Sequence, residues 1–200
     1  MPALLAAIRA RPGMYLGQKS AHNLLLFLYG FRFAEDIHGL PPEARIGGFD
    51  RDTFELWVQC RYNPQRLSHN SLSLAAHVAG AEDAGFDLWF RWYDEFAASP
   101  RPVRAIQVPL RDGTSVPAVV TEICEQSAGT GAAAEVARWQ CPCGSWMDAE
   151  TDIVAWFDMP RGFGTRCSSC NRRYAILVEA GRCVSVREVD PGSGQGQTSA

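Results

Sequence analysis

The sequence contains no apolar run of the roughly 18–20 residues that a membrane-spanning helix needs. The longest run extends only from Leu24 to Tyr29 and lies within a helical pattern. No signal peptide opens the chain, so we expect a protein of the reducing cytoplasm that does not enter a membrane. The net charge of −3 gives no overall attraction to nucleic acid or anionic lipid. Binding to either would therefore need a local positive patch.

The sequence also lacks the short motifs of common enzyme classes. It has no Gly-x-Ser-x-Gly motif, no Walker motif and no dinucleotide-binding fingerprint. Histidines are few, and all of them lie in the first half of the chain: His22, His38, His69 and His77. A histidine near serines is far more often a surface or core residue than a catalytic base. We therefore expect no enzymatic activity.

The strongest signal in the sequence is two closely spaced pairs of cysteines. The pairs are Cys141 with Cys143 and Cys167 with Cys170. Thiolates that share one ion must come from backbone that turns sharply, and a proline and a glycine beside the first pair favour such a turn. The spacing predicts a zinc ion bound by these four cysteines. Because four cysteine sulfurs would occupy every coordination position of the ion, we expect a structural ion and not one that activates water.

Other interpretations of the cysteines stay open at this stage. A disulfide is disfavoured by the odd number of cysteines, seven, and by the expected reducing compartment. A redox site at the second pair would need a βαβ context that the pattern does not show. An iron–sulfur cluster also takes four cysteines. Finally, Cys124 or Cys183 could replace one of the four ligands.

The first half of the chain shows helical periodicity. Five segments are predicted to be helices: Pro2–Ala10, Ala21–Ile37, Asp52–Tyr62, Ser71–Val78 and Glu82–Ala97. After the first helix, Pro12 and Gly13 are expected to turn the chain, with Met14 covered by the turn. Ser20 and either Asp50 or Asp52 are the predicted N-caps. The last helix carries an aromatic stripe that is typical of a core: Phe86, Trp89, Phe90, Tyr93 and Phe96.

The character of the sequence changes at Ser99–Pro102. Beyond this point we expect five strands: Val103–Leu110, Ser115–Ile123, Ile153–Phe157, Tyr174–Glu179 and Cys183–Val189. The Gly/Ser/Gln-rich tail is expected to be disordered. The sequence thus predicts an α+β protein with three parts: a helical domain at 1–98, a β-rich zinc-binding domain at 101–190, and a tail at 191–200.

The two cysteine pairs resemble those of the zinc-ribbon class, in which two such turns lie at the tips of two β-hairpins. The resemblance covers roughly residues 137–188 and rests on the cysteine pairs alone. It implies a small β domain built around a structural zinc ion.

The first half resembles a group of small, uncharacterised bacterial proteins. The similarity is carried by four segments: Pro12–Gly17, Ser20–Gly30, Phe54–Tyr62 and Phe86–Phe96. The Ser-Trp that precedes the fourth helix in that group is replaced here by Ser71-Leu72. The group looks like soluble accessory or immunity-type proteins, so the resemblance implies a protein partner and no catalytic residues.

A nucleic-acid-binding regulator is the alternative function. Four arginines lie close to the cysteines in sequence: Arg161, Arg166, Arg172 and Arg173. Phe163 and Tyr174 would be available to stack on bases. Acidic residues in the same region oppose this interpretation: Asp148, Glu150, Asp152 and Asp158. We therefore expect a protein-interaction module first and a nucleic-acid-binding protein second.

Overall fold

The chain forms two compact units, Met1–Pro100 and Arg101–Ala200. The computed structural model describes residues 2–38, 49–65, 67–128, 131–151 and 162–190. In these ranges the first unit contains helices and the second contains antiparallel strands, which confirms the predicted α+β class. No helix within the described ranges is long and apolar enough to span a bilayer. That residues 1–98 fold on their own stays a prediction.

Capping side chains begin several helices of the first unit. The described helices are α1 (Ala3–Ala10), α2 (Pro12–Leu16), α3 (Ala21–Ile37), α4 (Arg51–Tyr62), α5 (Ser71–Ala79) and α6 (Glu82–Ala98). The Ser20 hydroxyl accepts a hydrogen bond from the Asn23 N–H at 3.2 Å. The Asp50 carboxylate accepts one from the Thr53 N–H at 3.2 Å. Both caps satisfy amides that the helix itself leaves without partners, and both were predicted.

The core of the first unit is aromatic. All the residues of the predicted α6 stripe are buried, which confirms its role. The Phe54 ring of α4 lies edge-on to Trp89 and to Phe96, with ring centroids 5.2 Å apart in each pair. The Trp89 indole N–H donates to the Ser71 hydroxyl at 3.0 Å, so this buried polar group is satisfied.

The prediction for the turn after α1 is wrong. The first helix does end at Ala10, but Pro12 starts the short helix α2 and does not only break the chain. A proline suits this position because the first amides of a helix have no intrahelical partner. Met14 is 71% exposed and therefore does not contribute to the core.

The second unit contains two antiparallel sheets. The strands are β1 (Val103–Pro109), β2 (Ser115–Cys124), β3 (Ala134–Gln140), β4 (Trp146–Glu150), β5 (Gly162–Arg166), β6 (Arg173–Glu179) and β7 (Arg182–Val189). One sheet has the order β1-β2-β3-β4 and the other β5-β6-β7. Side chains from both sheets form one buried cluster, in which Trp139 and Tyr174 are the largest.

Three strands were not predicted. Nearly every residue of β3 is buried, so its sequence lacks the polar–apolar alternation of a half-exposed strand. Two glycines weaken the strand signal of β5. Strand β4 does alternate between exposed and buried positions, but its five residues are too few to give a clear strand pattern. The predicted strand Ile153–Phe157 and the predicted disordered tail, 191–200, lie outside the described residues.

A buried carboxylate connects the two sheets. The Glu135 side chain of β3 is 2% exposed and lies 2.7 Å from the Arg104 guanidinium of β1. It also accepts a hydrogen bond from the Cys183 N–H of β7 at 2.8 Å. Because a buried charge is tolerated only when it is paired, these contacts fix β3 against β7. The same strand β3 leads into the first cysteine pair.

Candidate metal centre

The first cysteine pair lies in the tight loop that joins β3 to β4. The Cys141 N–H donates to the Ser145 carbonyl at 2.8 Å, and the Gly144 N–H donates to the Cys141 carbonyl at 2.8 Å. Gly144 has a φ of +92°, which a residue with a side chain rarely adopts. This glycine lets the loop reverse within five residues, so that the sulfurs of Cys141 and Cys143 lie on its inner side.

The second pair lies in the loop between β5 and β6. The Cys167 N–H donates to the Arg172 carbonyl at 2.9 Å, and the Asn171 N–H donates to the Cys167 carbonyl at 2.9 Å. Asn171 adopts a left-handed φ of 61°, which asparagine tolerates better than most residues. The Ser145 hydroxyl donates to the Ser169 hydroxyl at 2.7 Å and links the two loops directly. The sequence did not indicate this link.

The two loops bring the four predicted cysteines together. The Sγ atoms of Cys141 and Cys170 lie 3.5 Å apart, as do those of Cys143 and Cys167. All four Sγ atoms lie within 4.8 Å of one another. Four sulfurs bound at about 2.3 Å to one tetrahedral ion lie about 3.8 Å apart. The cluster therefore has the size of a site for a single metal ion.

The positions of the cysteines argue against several of the interpretations that the sequence left open. All seven cysteines lie within the described residues, and none of them is joined to another by a disulfide. An iron–sulfur cluster places its own atoms between the cysteines and needs a wider spacing than a single ion. Within the described ranges, Cys124 and Cys183 lie outside the cluster, in β2 and β7. The structure thus favours one ion held by the two loops.

Hydrogen bonds in the loops shift the pKa of two thiols in opposite directions. Hydrogen bonding to the side chain and backbone of Ser145 lowers the pKa of Cys143 to about 6. At Cys170 the Arg172 backbone N–H lowers the pKa, but desolvation and hydrogen bonds to the other cysteines outweigh it and raise the pKa to about 12. Adjacent thiols resist ionising together because thiolates repel one another. A bound divalent cation would remove this obstacle.

A buried tyrosine supports the cluster from within the core. The Tyr174 hydroxyl donates to Cys141 Sγ at 3.2 Å, and the residue is fully buried. Burial and the bond to Cys141 raise the pKa of Tyr174, so the hydroxyl keeps its proton and remains a donor. Its ring packs edge-on against Trp139, with the centroids 5.2 Å apart. The predicted role of Tyr174 in base stacking is therefore wrong. The alternation of β6, which places Ile176 and Val178 in the core, indicates the same orientation.

The four arginines of the predicted nucleic-acid surface do not form one free patch. Arg172 forms an ion pair with the nearly buried Glu188 at 3.0 Å, and that carboxylate raises the pKa of the guanidinium. Arg166 and Arg173 lie directly opposite each other on β5 and β6. Arg161 lies outside the described residues. Phe163, the second predicted stacking residue, is half-buried against the core of the unit.

Comparisons with known proteins identify no relative of this chain: no family model, no curated protein and no solved structure matches it.

Proposed function

We propose that this protein is a non-catalytic protein-interaction module of the accessory or immunity type, held together in its second unit by one structural zinc ion. The observation that carries the proposal is the convergence of Cys141, Cys143, Cys167 and Cys170 to within 4.8 Å. Four thiolates fill the tetrahedral shell of zinc and leave no position for a reactive water. Such a site stabilises a fold and does not perform chemistry.

The metal would fix the two loops against the core of the second unit. Cys141 and Cys167 are 2% and 0% exposed and belong to the buried cluster, whereas Cys143 and Cys170 are exposed. An ion bound between them would join the β3–β4 turn to the β5–β6 turn, which belong to different sheets. The surface beside these turns would then be presented in one conformation.

The surface that we assign to the partner begins at Trp146. This residue directly follows the first loop and is 51% exposed. Its neighbour Met147 faces the core, so Trp146 faces away from it. By strand register, Val119 and Val103 lie on the same outer face of the four-stranded sheet and are 47% and 63% exposed. Exposed tryptophan is enriched at the centres of protein interfaces.

The nucleic-acid alternative rests on the facing pair Arg166 and Arg173. These two arginines lie at facing positions of β5 and β6, and a nucleic-acid phosphate would bring the complementary charge. The alternative has less support, since Tyr174 is buried and Arg172 is paired with Glu188. A gel shift at low and high salt with single- and double-stranded DNA and RNA distinguishes the two functions. Tight, salt-dependent binding lost in Arg166→Ala would favour the alternative.

The proposal is tested by zinc analysis and partner capture with the same set of variants. We expect Cys170→Ser to lose the zinc and the partner together, and Cys60→Ala, which removes a buried thiol of the other unit, to keep both. Trp146→Ala should keep the zinc but weaken partner binding at least about 10-fold, as expected for a central interface residue. Leu177→Ala, a partly exposed position on β6, is the matched control.

Each result has a clear contrary outcome. If Trp146→Ala and Leu177→Ala retain the same partner equally well, the assigned surface is wrong. If Cys170→Ser retains the zinc, the four cysteines are not its ligands.

A further inference from the structure

Two histidines of the first unit lie together at its surface. The ring centroids of His69 and His77 are 5.5 Å apart, and the rings meet edge-on with 75° between their planes. His69 is half-buried and His77 is exposed, so solvent reaches the pair. His69 lies just before α5, whereas His77 lies in the last turn of that helix. The fold of the segment before α5 therefore brings the two rings together.

Side chains of α4 hold the segment that carries His69. The Gln59 amide donates to the His69 carbonyl at 2.7 Å, and the Asn63 amide donates to the Leu67 carbonyl at 2.8 Å. The Asn63 carbonyl oxygen in turn accepts from the Leu67 N–H at 2.8 Å. Asn63 is 1% exposed, which shields its hydrogen bonds from solvent. The backbone of His69 is thus fixed before any ligand binds, and a preorganised site loses less entropy on binding.

A hydrogen bond sets the tautomer of His69. Its Nδ1 atom lies 3.0 Å from the Ser68 carbonyl oxygen. A carbonyl oxygen only accepts, so Nδ1 carries the proton and donates it. In the neutral ring the other nitrogen, Nε2, then offers its lone pair. This is the arrangement of histidines that bind metals, in which one nitrogen donates to a carbonyl or carboxylate and the other binds the ion.

We propose that His69 and His77 together bind one divalent zinc ion, in a second metal site that is separate from the four cysteines. Imidazole nitrogen is a good ligand for zinc. Two imidazoles bound at about 2.0–2.1 Å to one tetrahedral ion have their ring centres roughly 5 Å apart. The 5.5 Å between the two rings is close to this separation. Small rotations of the exposed His77 side chain are enough to direct its lone pair to the ion.

The second site differs from the cysteine centre because it is open. Among the described residues, no third histidine, cysteine or carboxylate joins the pair to form a larger metal-binding group. Water, or a ligand from another molecule, completes the coordination of the ion. Two imidazoles hold zinc less tightly than four thiolates do, so the ion exchanges and is lost when free metal is removed. Desalted protein therefore keeps only the zinc of the cysteines.

The test is isothermal titration calorimetry, with zinc chloride added to desalted full-length chain that retains the zinc of its cysteines. We expect the wild type to take up one further ion. His69→Gln and His77→Gln should each raise its dissociation constant at least about 10-fold, because losing a direct ligand costs at least as much as losing a residue that supports one. In the double variant, the second substitution should add much less than the first, since the two residues share one ion.

His22→Gln is the matched control, because His22 is also exposed but lies on α3. This variant should take up the added zinc as the wild type does. In the wild type itself, the added zinc should shift the imidazole nitrogen resonances of both His69 and His77 and leave those of His22 in place. This measurement needs no substitution, so it does not depend on how well a variant folds.

Three results would overturn the proposal: no further uptake of zinc, an affinity that is unchanged in both single variants, or effects of the two substitutions that simply add. A shift of one imidazole without the other would overturn it too. The cysteine centre keeps its zinc in every one of these variants, so the two metal proposals succeed or fail separately.

Discussion

Replacing Tyr174 by Phe should weaken zinc binding without unfolding the second unit. The change removes one hydroxyl, which donates to Cys141 Sγ at 3.2 Å in a fully buried setting. A hydrogen bond to a charged group contributes about 1.5–3 kcal/mol. At about 1.4 kcal/mol per factor of ten, the zinc dissociation constant should rise roughly 10- to 100-fold, as is usual for residues that support a metal ligand. The ring remains, so its packing against Trp139 is kept.

The assay is competition with a chromophoric zinc chelator at fixed pH. Tyr62→Phe is the matched control, because it also removes a hydroxyl that donates to another side chain, the carboxylate of Glu95 in the first unit. We expect its zinc affinity to equal that of the wild type. A Tyr174→Phe protein that binds zinc within twofold of the wild type would refute the role of this hydroxyl. Equal weakening in both variants would show that the effect is general and not specific to the site.

Three further predictions concern the second unit. Gly181→Ala should destabilise the second unit by about 3 kcal/mol or more, because a Cβ at this position would collide with the Ala133 carbonyl. The control Gly113→Ala has a similar φ but open space around the added Cβ, and it should cost about 1 kcal/mol. Equal losses of unfolding free energy in urea denaturation would contradict the steric argument. Glu135→Ala should cost about 2 kcal/mol, since it leaves the buried Cys183 N–H without an acceptor and removes the partner of the half-exposed Arg104. A loss below about 0.5 kcal/mol would show that the carboxylate is dispensable. Removing the metal with a strong chelator should speed amide hydrogen exchange in both cysteine loops and leave the amides of α6 protected. Loss of protection in α6 would show that the two units unfold together.

Local signals in the sequence are sufficient for five of the six described helices and for the identity of the clustered cysteines, but not for the short helix α2. The caps at Ser20 and Asp50 depend on residues three positions apart, so they can be read without knowledge of the fold. The cysteine pairs are also local, because each pair lies in one loop. That the two loops meet could be proposed only because four thiolates suit one ion.

The strands and the surroundings of the cysteines depend on distant partners. Strand β3 is buried nearly throughout, so its burial depends on parts of the chain that cover both of its faces. Glu135 is tolerated there only because Arg104 and the Cys183 amide reach it. The contact of Tyr174 with Cys141 joins residues 33 positions apart. Neither feature leaves a periodic pattern in the sequence.

The central claim is tested most directly by elemental analysis combined with X-ray absorption at the zinc edge on the purified full chain. The account predicts one zinc per chain, surrounded by four sulfurs at about 2.3 Å, and loss of this signal in Cys170→Ser. Metal-replete protein without zinc, an iron signal in its place, or a zinc shell that contains nitrogen or oxygen would contradict the account.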